Sequence, residues 1–216
     1  MRCPSPGTRR CYRNDTLGNT NAILVLYDAS MAVVRSVRSA PVDRATLVSV
    51  AADMVDRDGW HALTLSDVAK AVGRHPSSMY AHVDSLQDLR REIAIASMGE
   101  LAELVWRAVL GKIGADALLA IAQQYKDFAV NHPGRTASLA SIDESDPDFA
   151  VQAARLHEPV RATFRSFGLD DGQTAIAHRV FGGAIDGFVR TSSHEDIDQV
   201  VAVFVTALST GLWPLR

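Results

Sequence analysis

The chain has 216 residues, enough to bury a sizeable core in one or two domains. Hydrophobic residues make up 47% and charged residues 22%, which argues against wholesale disorder, and no apolar run approaches the ~20 residues that span a bilayer. The net charge of −3 excludes a chain that is basic throughout; by segment it is +4 over 1–40, −2 over 41–90 and −5 over 91–216.

Residues 1–40 show no helical period, and Pro4, Pro6, Gly7 and Gly18 break their early part. The apolar run at 22–34 is short and interrupted by Asp28, so neither a secretory signal nor a membrane anchor is expected, and the reading is cytoplasmic. Cys3 and Cys11 lack the further ligands of a zinc site and read as free thiols; a disulfide between them would tie only a tail. Met31 offers an alternative start, which makes residues 1–30 a disordered extension or the product of an upstream start codon.

Pro41 opens the folded part. A first helix is expected over about 43–58, with Leu47, Val50, Ala51, Met54 and Val55 on one face. Gly59 ends it, and Trp60 and Leu63 pack beside the helices that follow.

Residues 64–83 read as two short helices joined at a glycine. Thr64 is an N-cap, with Asp67 three residues on in the T-x-x-D form of a capping box. Leu65, Val68, Ala69 and Val72 recur at helical spacing, and Gly73 stops the helix because glycine takes φ > 0 without steric penalty. Pro76 suits the first turn of a second helix over 76–82, with Met79, Tyr80 and Val83 on its apolar side and Ser77, Ser78, Ala81 and His82 outward. Two helices joined by a short glycine turn make a helix-turn-helix, whose second helix can enter a major groove. Its N-terminal amides, Ser77, Ser78 and the Tyr80 hydroxyl suit backbone phosphates, and Arg74 and His75 reach phosphates or base edges. An ordinary helical hairpin in a core has the same pattern.

With its flanks, from Arg44 through Gly59-Trp60 and Leu63-Thr64-Leu65 to Tyr80-Ala81-His82-Val83, this stretch resembles the TetR family of bacterial transcriptional regulators, without gaps over about 42–90. The resemblance implies an α-helical homodimer with an N-terminal DNA-binding domain and a variable C-terminal ligand-binding domain. The expected DNA contacts are Arg44, Thr64, Lys70, Arg74, His75, Pro76, Ser77, Ser78, Tyr80 and His82. Two departures stand out: Leu86 lies at or beside the place of the family's usual phosphate-binding lysine, and Arg74-His75 replaces the commoner Val-Ser. The acid excess over 41–90 also works against phosphate binding. It is reconciled if Asp43, Asp53, Asp56 and Asp58 face away from DNA and if Arg35, Arg38 and Arg44 form a basic arm.

Asp84 or Ser85 caps a long helix to about 110, with Leu89, Ile93, Ala96, Met98, Leu101, Leu104, Val105 and Ala108 on its stripe. Gly111 and Gly114 bracket a turn, a helix follows over about 115–131, and Asn131-His132-Pro133-Gly134 breaks it. Next come a short helix (135–142), a solvated acidic turn (143–148) and a helix over about 148–167 closed by Gly168. Helices over about 171–191 and 194–211, the second capped by Ser193, carry wide apolar faces; Gly182, Gly183 and Gly187 permit close backbone approach, which suits a four-helix homodimer interface.

Asn131-His132-Pro133-Gly134, His178 through Gly183 and Asp186-Gly187-Phe188 resemble the C-terminal domain of mycobacterial and other actinobacterial TetR-type regulators, over about 112–212. This implies an effector pocket, for which Tyr125, Phe128, Phe164, His178 and Phe181 are the candidates, although each also suits plain core packing. No catalytic set, metal-ligand spacing or cofactor motif emerges.

The expectation is therefore an all-α protein of about nine helices: an extension (1–40), a three-helix DNA-binding domain (41–90) and a ligand-binding and dimerisation domain (91–216). It reads as a non-enzymatic, ligand-responsive repressor without cofactor or metal, binding double-stranded operator DNA as a homodimer and answering to an unidentified small molecule. The alternative is an α-helical small-molecule or partner-binding module that has lost DNA affinity.

Overall fold

The structure, a computed structural model, describes residues 42–143, 145–190 and 197–210, with the side chains of Val189 and Arg190 left out. The expectations for residues 1–41, including the extension, the cysteines and the Arg35 and Arg38 arm, lie outside the described residues, as does the Ser193 cap. Among the described residues there are nine α-helices, one 3-10 turn and no strand.

Most helix starts coincide with a side-chain cap. Asp43 accepts from the Thr46 amide at the head of α1 (Arg44–Asp58), and Gly59 at φ 94° ends that helix. The 3-10 turn Trp60–Ala62 leads into α2 (Leu65–Ala71) and α3 (Pro76–Met79). Ser85 accepts from the Asp88 amide to start α4 (Leu86–Val109). Then follow α5 (Gly114–Asn131), α6 (Pro133–Leu139), α7 (Pro147–Arg165), α8 (Asp171–Arg190) and α9 (Ile197–Ser209).

Two hydrophobic clusters form. One gathers Leu47, Ala51 and Val55 of α1 with Val68, Met79 and Val83. The other gathers Leu118, Phe128, Phe164, Phe181 and Phe204 from α5, α7, α8 and α9. The long helix α4 belongs to both, through Leu89 and Ile93 in the first and Met98, Leu101 and Val105 in the second. Each such buried side chain contributes about 1.5–3 kcal/mol, so α4 is tied firmly at both ends. Its buried row also takes in Ala94, Ser97 and Ala102, whereas Ala96, expected in the stripe, is exposed because it lies off that row.

The acidic turn is not simply solvated. Arg91 of α4 donates to both carboxylate oxygens of Asp146, at 2.6 and 2.8 Å, and also binds Asp148. The guanidinium holds the Asp146 carboxyl below the usual carboxylate range. Asp146 in turn accepts from the Asp148 and Phe149 amides and caps α7.

The short helix α6 begins at Pro133, two residues before the expected start, and its cap comes from elsewhere in the chain. Asp56 of α1 accepts from the Arg135 amide at 2.8 Å and lies 2.9 Å from His132 Nδ1. The Arg135 side chain, 13% exposed, answers with ion pairs to Asp53, Asp56 and Glu100. Its Nε is 3.0 Å from Asp56 Oδ2 but not aligned for a hydrogen bond. Gly134 is what permits this approach: a Cβ there would stand 2.0 Å from the Val55 carbonyl oxygen.

Candidate nucleic-acid interface and effector cavity

The turn between α2 and α3 has a defined geometry. The Gly73 amide donates to Lys70 O and the Arg74 amide to Ala69 O, with Gly73 at φ 66°. This is a Schellman closure, which satisfies the end carbonyls of α2 and turns the chain sharply. His75 then caps α3, its Nδ1 3.3 Å from the Ser77 amide, and Pro76 occupies the first helical position, where a missing N–H costs nothing.

The second helix is shorter than expected. It ends at Met79 instead of reaching 82, and turn hydrogen bonds from Ala81 to Ser78 and from His82 to Met79 carry the chain on. That tightening buries Met79 and Val83, both 1% exposed, and swings Tyr80 out to 63% exposure. Helical spacing puts Tyr80 on the apolar side; it stands instead on the outer face with Arg74, His75, Ser77, Ser78 and Ala81, while His82 is half-buried at its edge. In this structure both serine hydroxyls bond to His75, Ser77 Oγ at 2.8 Å from Nδ1 and Ser78 Oγ to the carbonyl at 2.7 Å.

The remaining expected contacts have structural partners. The Thr64 hydroxyl accepts from the Asp67 amide at 3.1 Å and donates to the Asp67 carboxylate at 2.7 Å, so the box closes side chain to side chain. Those contacts, then Lys70 at 3.1 Å, hold the Asp67 carboxyl below its ordinary value. The Lys70 pair is exposed and screened by solvent, so it holds Lys70 only weakly and a phosphate can displace Asp67. Arg44 differs. It donates to the His82 carbonyl at 3.0 Å and to Asp88 at 2.9 Å and pairs with Glu92 at 3.1 Å, joining α1, the turn after α3, and α4. With two carboxylates on one guanidinium, Arg44 braces α1 against the turn after α3 and against α4.

The local acid excess is also accounted for in part. Asp53 and Asp56 turn to Arg135 of α6, Asp43 caps α1, and Asp58 pairs with Arg57 at 2.6 Å.

In the C-terminal helices a cavity of about 360 Å³ lies among α5, α7 and α8. Tyr125, His178 and Phe181 line it. Phe128 and Phe164 do not; they are 2% and 0% exposed inside the core, Phe128 against His132 and Phe164 edge-on to Phe181. Sequence reasoning misses His157, Arg161 and Arg179, which also line the cavity. His157 and Arg161 are four apart on α7, a spacing that places both on one face. A neighbouring cavity of about 840 Å³ shares Tyr125, Leu156, His157 and Arg161 and adds Asp186. Burial, and then the positive field of His157, Arg161 and Arg179, push the His178 pKa down to about 4.

The outer flanks of the last helices differ from their core flanks. Ala177, Phe181 and Ile185 of α8 are buried, whereas Ile176 and Val180 are 42% and 48% exposed and continue in register to the exposed Gly183 and Gly187. On α9, Val203 is 69% exposed opposite buried Val201, Phe204 and Leu208.

Residues 118–209 match the profile of a family described as the C-terminal domain of tetracyclin repressor-like proteins. The chain is 34% identical over 191 residues to an uncharacterised HTH-type transcriptional regulator of Mycobacterium tuberculosis, covering 85% of this chain and 88% of that one. Its fold is similar to that of a possible TetR family regulator from Streptomyces coelicolor A3(2), at a TM-score of 0.60 and 17% identity over 81% of this chain and 100% of that one. It is also similar to a TetR family regulator from Thermus thermophilus, at a TM-score of 0.57 and 19% identity over 77% and 95% of the two chains.

Proposed function

Because the chain belongs to the TetR family of transcriptional regulators, which bind operator DNA and dimerise, we propose that it is a ligand-responsive repressor whose residues 74–82 meet the major groove. The observation that carries this reading is the outer face of α3 and its flanking turns. Arg74, His75, Ser77, Ser78 and Tyr80 stand outward there, over a base held by buried Met79 and Val83. Thr64 and Lys70, at the two ends of α2, flank that face, and Arg44 is assigned the bracing role instead of a phosphate contact. Residues 41–90 act as the DNA-binding part and 91–216 as the effector-binding and dimerisation part, with α4 common to both. The homodimer forms through α8 and α9, by the flank of Ile176, Val180, Gly183 and Gly187 with Val203. It works in the cytoplasm, where its DNA is.

For such dimers the two half-sites lie about one helical turn apart, roughly 34–36 Å. A ligand that binds a conformer with another spacing releases DNA, and couplings of about 5–150-fold are typical. The α1–α6 latch at Asp56, Arg135 and Gly134 is a contact through which a shift in the C-terminal helices reaches the DNA-binding ones.

The test is binding of the purified protein to its own upstream DNA, titrated against salt. Saturable, sequence-dependent binding that weakens steeply with salt supports the reading, and the slope counts the phosphates engaged. No binding at low salt, with or without residues 1–30, would replace it with the ligand-binding module that has lost DNA affinity.

A further inference from the structure

The cavity among α5, α7 and α8 is polarised. Its wall is apolar, from Ile121 of α5, Leu156 and Val160 of α7, and Phe181 and Ile185 of α8. Its polar lining carries two cations, Arg161 from α7 and Arg179 from α8, beside the imidazoles of His157 and His178 and the phenol of Tyr125, with no carboxylate among the lining residues. Asp186 lines only the neighbouring cavity. Both arginines are exposed, and among the described residues neither forms an ion pair. Other arginines on these helices do pair: Arg155 with Glu103 and Arg165 with Glu158. Arg161 and Arg179 therefore place positive charge, without an ion-pair partner among the described residues, at the edge of an apolar pocket.

We propose that this cavity takes a small amphipathic anion, a carboxylate on an apolar chain, with its head at Arg161 and Arg179 and its tail against Leu156, Val160, Phe181 and Ile185. The proposal rests on the reading of the C-terminal helices as an effector domain and names the ligand class. Guanidinium groups suit a carboxylate because they offer paired donors in one plane. The apolar wall supplies the remaining affinity by taking the tail out of water. His178, its ring 4.5 Å from that of His157, is kept neutral first by burial and then by the positive field of its neighbours, and that field favours an anion beside it. A cationic ligand meets the opposite sign, and a neutral one gains only from the wall.

The test uses the full-length protein and two series of probes, n-alkanoates and 1-alkanols of six to twelve carbons, in calorimetric titrations at pH 7. The expected result is saturable alkanoate binding at least about ten-fold tighter than that of the alkanol of equal length, the ratio of one retained charge-assisted hydrogen bond. The double variant Arg161→Gln, Arg179→Gln removes that preference and leaves alkanol binding and thermal stability unchanged. Leu156→Trp, which fills the cavity, weakens both series. Equal affinity for the two series, or an alkanoate preference that survives the double variant, overturns the assignment of an anion while leaving an effector pocket in place. Binding unaffected by Leu156→Trp overturns the site. If neither series binds, the pocket reading fails with it.

Discussion

Replacing Gly134 with alanine puts a Cβ 2.0 Å from the Val55 carbonyl oxygen, 2.2 Å from its carbon and 2.6 Å from the Asp56 nitrogen. All three are backbone atoms of α1, held in the hydrogen-bonded helix, so no rotamer change relieves the overlap. The only relief is to move α6 away from α1. Overpacking costs about 1–3 kcal/mol when side chains can yield, and a rigid backbone neighbour sets this substitution at the upper end or above. Separation also stretches the Arg135 amide to Asp56 bond, now 2.8 Å, and the contact of Asp56 with His132, now 2.9 Å. At about 3 kcal/mol, and about 2–4 °C per kcal/mol for a chain of this size, Tm falls by about 6–12 °C. The assay is thermal unfolding by circular dichroism, with Gly99→Ala as control. There the new Cβ meets only the Gln152 side chain, at 3.1 Å, inside α4, so the control is near neutral or mildly stabilising. A Gly134→Ala protein that melts within about one degree of wild type would show that α6 is not seated on α1 as described.

Tyr80→Phe removes a hydroxyl from an exposed ring, so stability is unchanged while operator affinity falls about ten-fold through one lost hydrogen bond to a phosphate; equal operator affinity in a gel-shift titration removes Tyr80 from the interface. A Cβ at Gly183 meets nothing within 4 Å inside the single chain. Gly183→Leu therefore leaves the protomer folded and shifts sedimentation towards monomer, and an unaltered dimer would move the interface off this flank of α8. His178 stays neutral in the fold down to about pH 4, whereas in the unfolded chain it takes up a proton near its ordinary value of 6.5. Its contribution is thus complete above about pH 6.5 and is lost as pH falls towards 4. The urea midpoint should drop more between pH 7 and pH 5 in wild type than in His178→Gln, and equal drops would refute the shift.

Local chemistry made much of this protein legible before any coordinates. Thr64, Ser85 and Gly73 act within one turn of their own helices, so their capping and stopping roles follow from residue type and spacing alone. The same holds for the turn at His75-Pro76, for the apolar row of α1 and for the larger side chains of the row on α4, though not for its alanines. The outward swing of Tyr80 was not legible, because a tight turn after Met79 rotates a side chain that helical spacing would place inside. The partners of the charged residues were not legible either. Arg44 meets Asp88 forty-four positions away, and Arg135 meets Asp53 eighty-two away, and no periodicity encodes such distances.

An all-α chain, the position of its helix pair and the family it belongs to follow from the residues alone, since each depends on neighbours within a few positions or on a contiguous motif. Which arginines are braces and which line a cavity, and which phenylalanines are core, emerged with the packing of the helices. So did the role of the break at Asn131-His132-Pro133-Gly134 as a seat on α1. The physical reason is common to all of these: burial and ion pairing are set by what lies across the interface, and that is known only once the helices have packed.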